Sequence, residues 1–294
     1  MKSLFTGCGT ALITPFKGGE IDWDTLDQLV EEQIAGGVDA LIATGTTGEP
    51  ATMTWEEHLS VIRRVADRAA GRVTVIAGAG SNCTREAIHA AQALEDSGAS
   101  GLLVVTPYYN KTTQEGLVAH YHAIADASKL PLIVYNVPGR TGLNILPATL
   151  KRIVEHDNIV GVKEANGDLD QAMEKIRLCG QDATFYSGED SLVVPLMVMG
   201  YKGVISVLSN VMPRETADMA HLALAGRYDE AAALQLKYLP FIKALFSETS
   251  PIPCKAAMAM MGKCEDELRL PLIPMQSANR EKMAGIMREL GLLA

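Results

Sequence analysis

The sequence predicts an α/β protein, a closed (β/α)8 TIM barrel carrying a C-terminal all-helical appendage. Three observations carry that reading. Short apolar segments recur eight times at a spacing of roughly 28 residues, the period of a strand plus a crossover helix. Each is followed by a longer amphipathic stretch. Beyond residue 226 the strand signal stops while helical periodicity continues.

The candidate strands are 9–14, 40–44, 73–77, 101–105, 131–135, 159–163, 184–187 and 203–207. Most are rich in Val, Ile, Leu and Ala, as expected of parallel strands covered on both faces. The segments between them carry helix punctuation. Thr54-Trp55-Glu56-Glu57 reads as a capping box, and Thr84 precedes a helical run ending at Ser97-Gly98. Gly36, Gly98 and Gly200 stand where a helix must stop before the next strand. Eight such units within residues 1–225 suit a closed barrel better than an open doubly wound sheet. Residues 226–294 form the appendage, with helices expected over 228–246, 251–261 and 277–290. Pro251 and Pro253 punctuate the second of these, and Pro271 and Pro274 the approach to the third. No low-complexity linker separates the two parts, so they should pack together.

Composition narrows the class of function. A chain of 294 residues buries about three quarters of its unfolded surface and needs no disulfide or metal staple. No stretch approaches the ~20 apolar residues that cross a bilayer, and the apolar part of Met1–Cys8 falls short of the ~7 to 15 of an export signal. The five cysteines are odd in number, scattered and never spaced as C-x-x-C, which argues for a reducing, cytoplasmic setting and against a zinc site. A net charge of −9 without a Lys/Arg-rich run repels nucleic acid. The expected partner is a small molecule.

In barrels of this kind the site is built at the carboxyl ends of the strands, and there this sequence turns polar. Strand two runs into Gly45-Thr46-Thr47-Gly48-Glu49, strand four into Thr106-Pro107-Tyr108-Tyr109-Asn110, and strand five into Tyr135-Asn136-Val137-Pro138-Gly139-Arg140-Thr141-Gly142. Strand six ends in Lys163-Glu164, strand seven in Ser187-Gly188-Glu189-Asp190 and strand eight in Ser206-Val207-Leu208-Ser209-Asn210.

Lys163 closes an apolar run, so its stem should stand against barrel walls. A free lysine near pKa 10.4 is neutral about one part in a thousand at pH 7.4, and only the neutral amine attacks a carbonyl. Burial that lowers it by ~2 to 3 units supplies a usable nucleophile. Pairing with Glu164 on the surface is the simpler alternative, but adjacent strand residues point to opposite faces. Tyr135 lies on the neighbouring strand and can share one site as an acid/base, or serve as a core tyrosine. Thr46 and Thr47, set between two glycines, can present N–H groups and hydroxyls to a carboxylate, or form a simple turn. Arg140 offers a bidentate fork for a second carboxylate, or a structural contact.

Two motifs fail. Gly78-Ala79-Gly80-Ser81-Asn82-Cys83 opens like a dinucleotide fingerprint, yet Cys83 stands where the third glycine belongs. His120-Tyr121-His122 falls in a helical segment, where residues two apart do not share a face. No metal centre is expected.

Gly45-Thr46-Thr47-Gly48-Glu49, Tyr135-Asn136-Val137-Pro138-Gly139-Arg140-Thr141 and Gly161-Val162-Lys163-Glu164 together resemble the dihydrodipicolinate synthases. The likeness extends through Ser187-Gly188-Glu189-Asp190 and Gly203-Val204-Ile205-Ser206 and covers essentially the whole chain. It implies condensation of pyruvate with aspartate 4-semialdehyde on the route to diaminopimelate and lysine, with no metal or organic cofactor. By motif, Lys163 is implied as the Schiff-base residue, Tyr135 as proton donor and acceptor, and Thr46 as the next member of a relay. Tyr109 resembles the tyrosine that the family lends to a neighbouring subunit, which implies a dimer, and the family pairs dimers into tetramers. Thr47, Gly188 and the Ile205 main chain would face pyruvate, and Arg140 would receive the semialdehyde carboxylate.

Family members inhibited by lysine resemble this chain at His58, Asn82, Glu86 and Tyr108, whereas Pro50 and Trp55 replace polar residues. Weak or altered inhibition is therefore expected. The nearest rival activity is that of a sister lyase, such as N-acetylneuraminate lyase or a keto-deoxy sugar-acid aldolase. An arginine at 140 suits a short carboxylated aldehyde better than a polyol. A binding protein that kept the barrel and lost the reaction is the rival from another class, and a metal-dependent aldolase is a more distant one.

Overall fold

A computed structural model describes residues 3–293. Met1, Lys2 and Ala294 lie outside it, and with them the start of the segment read as too short for export.

The apolar segments pair side by side. They form β1 (Gly7–Ala11), β2 (Ala40–Ala43), β3 (Thr74–Gly78), β4 (Gly101–Val105), β5 (Leu132–Asn136), β6 (Ile159–Glu164), β7 (Thr184–Ser187) and β8 (Gly203–Ser206). Each bonds in parallel to the next in chain order, and β8 returns to β1 to close the barrel. The closing seam is tight, because a Cβ on Gly203 would stand 2.1 Å from the Gly7 carbonyl oxygen. Any side chain there would force the two strands apart.

The helices α1 (Trp23–Ala35), α2 (Trp55–Ala69), α3 (Thr84–Ala93), α4 (Gln114–Ala127), α5 (Pro147–Ile153), α6 (Leu169–Cys179), α7 (Val193–Val198) and α8 (Pro213–Leu224) cover the strands. The capping box forms as read: Glu57 N–H donates to Thr54 Oγ1 at 3.2 Å, and the Thr54 N–H to Glu57 Oε2 at 2.8 Å. Helix α3 stops at Ala93, short of the expected Ser97. The chain there folds back through a turn in which Ser97 Oγ donates to the Leu94 carbonyl, and Gly98 takes a left-handed φ of 83°.

Strand alternation builds two apolar layers. Ile133 and Tyr135 point into the barrel with Ile42, Ile76, Tyr186 and Ile205. Leu132 and Val134 point outward against the helices. Truncating a fully buried member such as Leu41 to alanine should cost ~2–5 kcal/mol.

Two local differences have simple causes. The first strand begins at Gly7 and ends at Ala11, not at residue 14. Leu12 and Ile13 are buried, but Ile13 N–H leaves the ladder for the Asn210 side chain, so apolar character outlasts pairing. A ribbon of Phe16–Lys17 against Glu20–Ile21 follows, too short to show alternation in sequence.

The appendage comprises α9 (Tyr228–Leu245), α10 (Ile252–Met260) and α11 (Ser277–Glu289). Helix α9 packs on α8 and α7 as well as on α11. Gln235 of α9 reaches the barrel, donating through Nε2 to the Asp190 carbonyl at 2.9 Å. No described helix is long and apolar enough to cross a membrane.

Candidate active site

Tyr135 and Lys163 are register partners on β5 and β6, so their side chains leave the sheet on the same face. That face is the barrel interior. The Lys163 ammonium lies 4.3 Å from the centroid of the Tyr135 ring, and both residues are buried at 5% and 6% exposure. Glu164 points the other way. Its Oε2 meets Lys175 Nζ of α6 at 2.6 Å, and its Oε1 accepts from Asn136 Nδ2 and the Asn166 N–H. The surface pairing weighed for Lys163 is therefore absent: Glu164 is taken by another lysine behind the strand.

Burial brings the Lys163 pKa down from 10.5 to about 8. Asp190 and Glu189 pull it back up, and Arg140 adds to the fall. A neutral amine is thus within reach at mildly alkaline pH. Burial pushes the Tyr135 phenol up to about 12, against the pull of Arg140 and a side-chain hydrogen bond with Thr46. It stays protonated in neutral solution and can both give and recover a proton.

The Thr46–Gly48 turn follows β2 and is closed by the Gly48 N–H donating to the Gly45 carbonyl at 2.8 Å. Thr47 is buried and Thr46 half-buried. Gly188 sits beside the Lys163 stem, where a Cβ would come within 3.1 Å of Lys163 Cε and 2.7 Å of the Ala165 methyl. Only a glycine leaves that side of the amine free. Ile205 faces the interior from β8.

Arg140 belongs to a single helical turn, Pro138–Thr141, which Pro138 starts and Gly142 ends at a left-handed φ of 67°. Thr141 anchors the turn, its hydroxyl accepting from Thr106 Oγ1 at 3.1 Å. The Arg140 guanidinium donates to the Ser250 carbonyl at 2.9 Å, a contact from barrel to appendage that sequence reasoning did not anticipate. Tyr109 stands apart: it is 91% exposed, has a φ of 68°, and does not reach the cluster of its own chain.

A cavity of about 720 Å³ opens beside this cluster, lined among others by Thr46, Arg140, Ser250, Trp55, Glu86 and Tyr108. Lys163 and Tyr135 are not on its wall; Thr46 connects it to them. Pro50 and His58 also line it. His58 stacks on Trp55 with ring centroids 5.2 Å apart, and its Nε2 lies 2.8 Å from the Gly78 carbonyl. Asn82 Nδ2 donates to the Tyr108 carbonyl at 3.1 Å.

Asp190 also escaped the sequence reading, although Ser187-Gly188-Glu189-Asp190 marked its strand end. It is buried, and its Oδ2 accepts from the Val207 and Leu208 N–H groups at 2.9 and 3.0 Å. This carboxylate ties the segment after β7 to the one after β8 and acts electrostatically on Lys163. Among the described residues no cluster of His, Cys, Asp and Glu is arranged to hold a metal. His120 instead meets Thr84 and His122 the Arg152 carbonyl.

A closed parallel barrel with a buried amine and phenol at its carboxyl-end mouth defines the class: a TIM-barrel enzyme acting on a small molecule. Comparison with known proteins narrows it. The model of the dihydrodipicolinate synthetase family matches residues 4–290, and the chain belongs to that family. It is 51% identical over 290 residues to the 4-hydroxy-tetrahydrodipicolinate synthase of Trichlorobacter lovleyi, covering 99% of this chain and all of that one. The crystal structure of dihydrodipicolinate synthase from Thermotoga maritima superposes with a TM-score of 0.97 at 44% identity, covering 99% of this chain and 100% of the other. A chloride-inhibited dihydrodipicolinate synthase from Acinetobacter baumannii, solved with pyruvate, gives 0.96 at 42% identity over 98% of this chain and 99% of its own.

Proposed function

We propose that this enzyme condenses pyruvate with L-aspartate 4-semialdehyde to give 4-hydroxy-tetrahydrodipicolinate, on the diaminopimelate route to lysine. The observation that carries the reaction is the buried Lys163 amine set against the Tyr135 ring. Neutral Lys163 attacks the keto carbon of pyruvate, and water leaves as the imine forms. Tyr135 supplies and recovers the protons of that step, with Thr46 as its hydrogen-bonded relay partner. The protonated imine draws electrons from the methyl group, a proton is lost, and the resulting enamine carbon attacks the aldehyde. The amine of the semialdehyde then displaces Lys163 from the imine carbon, closing the ring and freeing the enzyme. These steps draw on no metal and no organic cofactor.

Thr47, Gly188 and the Ile205 main chain receive pyruvate, and Arg140 the carboxylate of the semialdehyde. Tyr109, exposed and held at a left-handed φ, completes the relay of a second subunit in a homotetramer built as a dimer of dimers. Residues 1–225 are the catalytic barrel domain and 226–294 the helical domain, and the enzyme works in the cytoplasm. Inhibition by lysine is weak or altered, because Pro50 and Trp55 give the cavity wall fewer polar groups.

Supplying pyruvate with aspartate 4-semialdehyde, and N-acetylneuraminate alone in parallel, tests the assignment. The expected result is product from the first mixture only. Turnover of the sugar acid without turnover of the semialdehyde would favour the sister lyase.

A further inference from the structure

The Gly45–Glu49 segment, which the proposed function sets against pyruvate, has a backbone that its residues do not adopt freely. Thr44 and Glu49 bracket it at left-handed φ values of 52° and 57°, a conformation that a non-glycine residue keeps only where its surroundings impose it. Thr44 Oγ1 lies 3.1 Å from His58 Nε2, and Thr14 Oγ1 donates to the Gly48 carbonyl at 2.8 Å. At the far end the grip comes from the appendage. Glu49 Oε1 lies 2.5 Å from Lys255 Nζ of α10, and Glu49 Oε2 accepts from the Arg269 N–H at 3.2 Å.

Both side chains of this pair are buried, at 0% and 1% exposure. Lys255 also donates to the Glu267 carbonyl at 2.9 Å and stands 4.1 Å from the centre of the Phe16 ring. Arg269 covers the same ring and grips Glu57 and the Gly19 carbonyl. A buried ion pair is a poor source of stability, since well-packed apolar residues often serve as well. What it does supply is direction: a carboxylate that must meet one ammonium fixes the backbone that carries it. Here that backbone is the left-handed hinge next to Thr46 and Thr47.

We propose that Lys255 is a positioning residue for catalysis, holding the Thr46–Thr47 turn in its substrate-binding shape through the buried pair with Glu49. The inference rests on the reading that this turn binds pyruvate. It makes the helical appendage part of the site, with Lys255 acting through Glu49 and not as one of the groups assigned to the keto acid.

The test compares native enzyme, Lys255→Met, and the paired replacement Glu49→Gln with Lys255→Met, each with and without Thr47→Ala. Measurements are made at temperatures where circular dichroism shows each variant folded. The paired replacement leaves no orphaned charge and carries the test should Lys255→Met alone not fold. The expected result is a fall in kcat/KM for pyruvate of about 10- to 100-fold, matched by slower borohydride trapping of pyruvate. On the Thr47→Ala background the same replacements should cost far less, because both act through one turn. Native trapping by the folded paired replacement, or a penalty that multiplies in full on that background, would overturn the Lys255 proposal while Thr47→Ala remains slow. Native trapping by Thr47→Ala itself would overturn the pyruvate-turn reading and the proposal with it.

Discussion

Replacing Lys163 with methionine removes the amine and keeps most of the apolar stem, so it isolates the cost of holding an ammonium inside the barrel. Burial lowers the Lys163 pKa from 10.5 to about 8, a change of roughly 3 kcal/mol in the balance between its two forms. The sign follows from where each state gives up its proton. Below pH 8 both the folded and unfolded chains are protonated, and the folded one bears the whole cost of the buried charge. Between pH 8 and 10.5 only the unfolded chain still holds the proton, so stability rises with pH as the cost is relieved. Lys163→Met should therefore be inactive and yet more stable than the native chain by about 3 kcal/mol at pH 7. The gap should close as the pH approaches 10.5. Urea unfolding of both proteins in steps across this range reads it directly. A methionine variant less stable than native at pH 7, or a gap that ignores pH, would refute the reasoning.

Tyr135→Phe keeps the ring beside Lys163 and removes its hydroxyl. Trapping of pyruvate by borohydride should slow by about 10²- to 10⁴-fold, and a native rate would take the phenol out of the mechanism. Arg140→Ala should leave pyruvate trapping intact while kcat/KM for the semialdehyde falls by about 10- to 100-fold, the worth of a charged hydrogen bond; steady-state kinetics with each substrate varied separates the two. Glu164→Ala strands the fully buried Lys175 ammonium and should cost ~3–5 kcal/mol in denaturant unfolding. A loss below 1 kcal/mol would mean that Lys175 finds another partner.

The barrel was legible because parallel strands covered on both faces must be apolar throughout, and the helices between them carry their own stops. Legibility failed where burial and pairing part company, as at Ile13, and where an element is shorter than its own period, as in the Phe16–Ile21 ribbon. At the site, the burial of Lys163 and its kinship with Tyr135 followed from strand position alone. Its electrostatic setting did not, because Asp190 lies beyond its strand and is held by the Val207 and Leu208 N–H groups of the next one's loop. Arg140 with Ser250 and Glu49 with Lys255 join residues more than a hundred positions apart. No local pattern encodes such contacts; they come from the way the appendage folds back over the mouth.

The central claim is that the Lys163 amine becomes covalently bound to pyruvate. Reducing the enzyme with borohydride in the presence of pyruvate alone, then sequencing its peptides by mass spectrometry, tests this most directly. The account predicts one reduced pyruvate adduct per chain, on the peptide holding Lys163, and none in Lys163→Met. An unmodified Lys163 in fully active native enzyme, or an adduct on a different lysine, would contradict it.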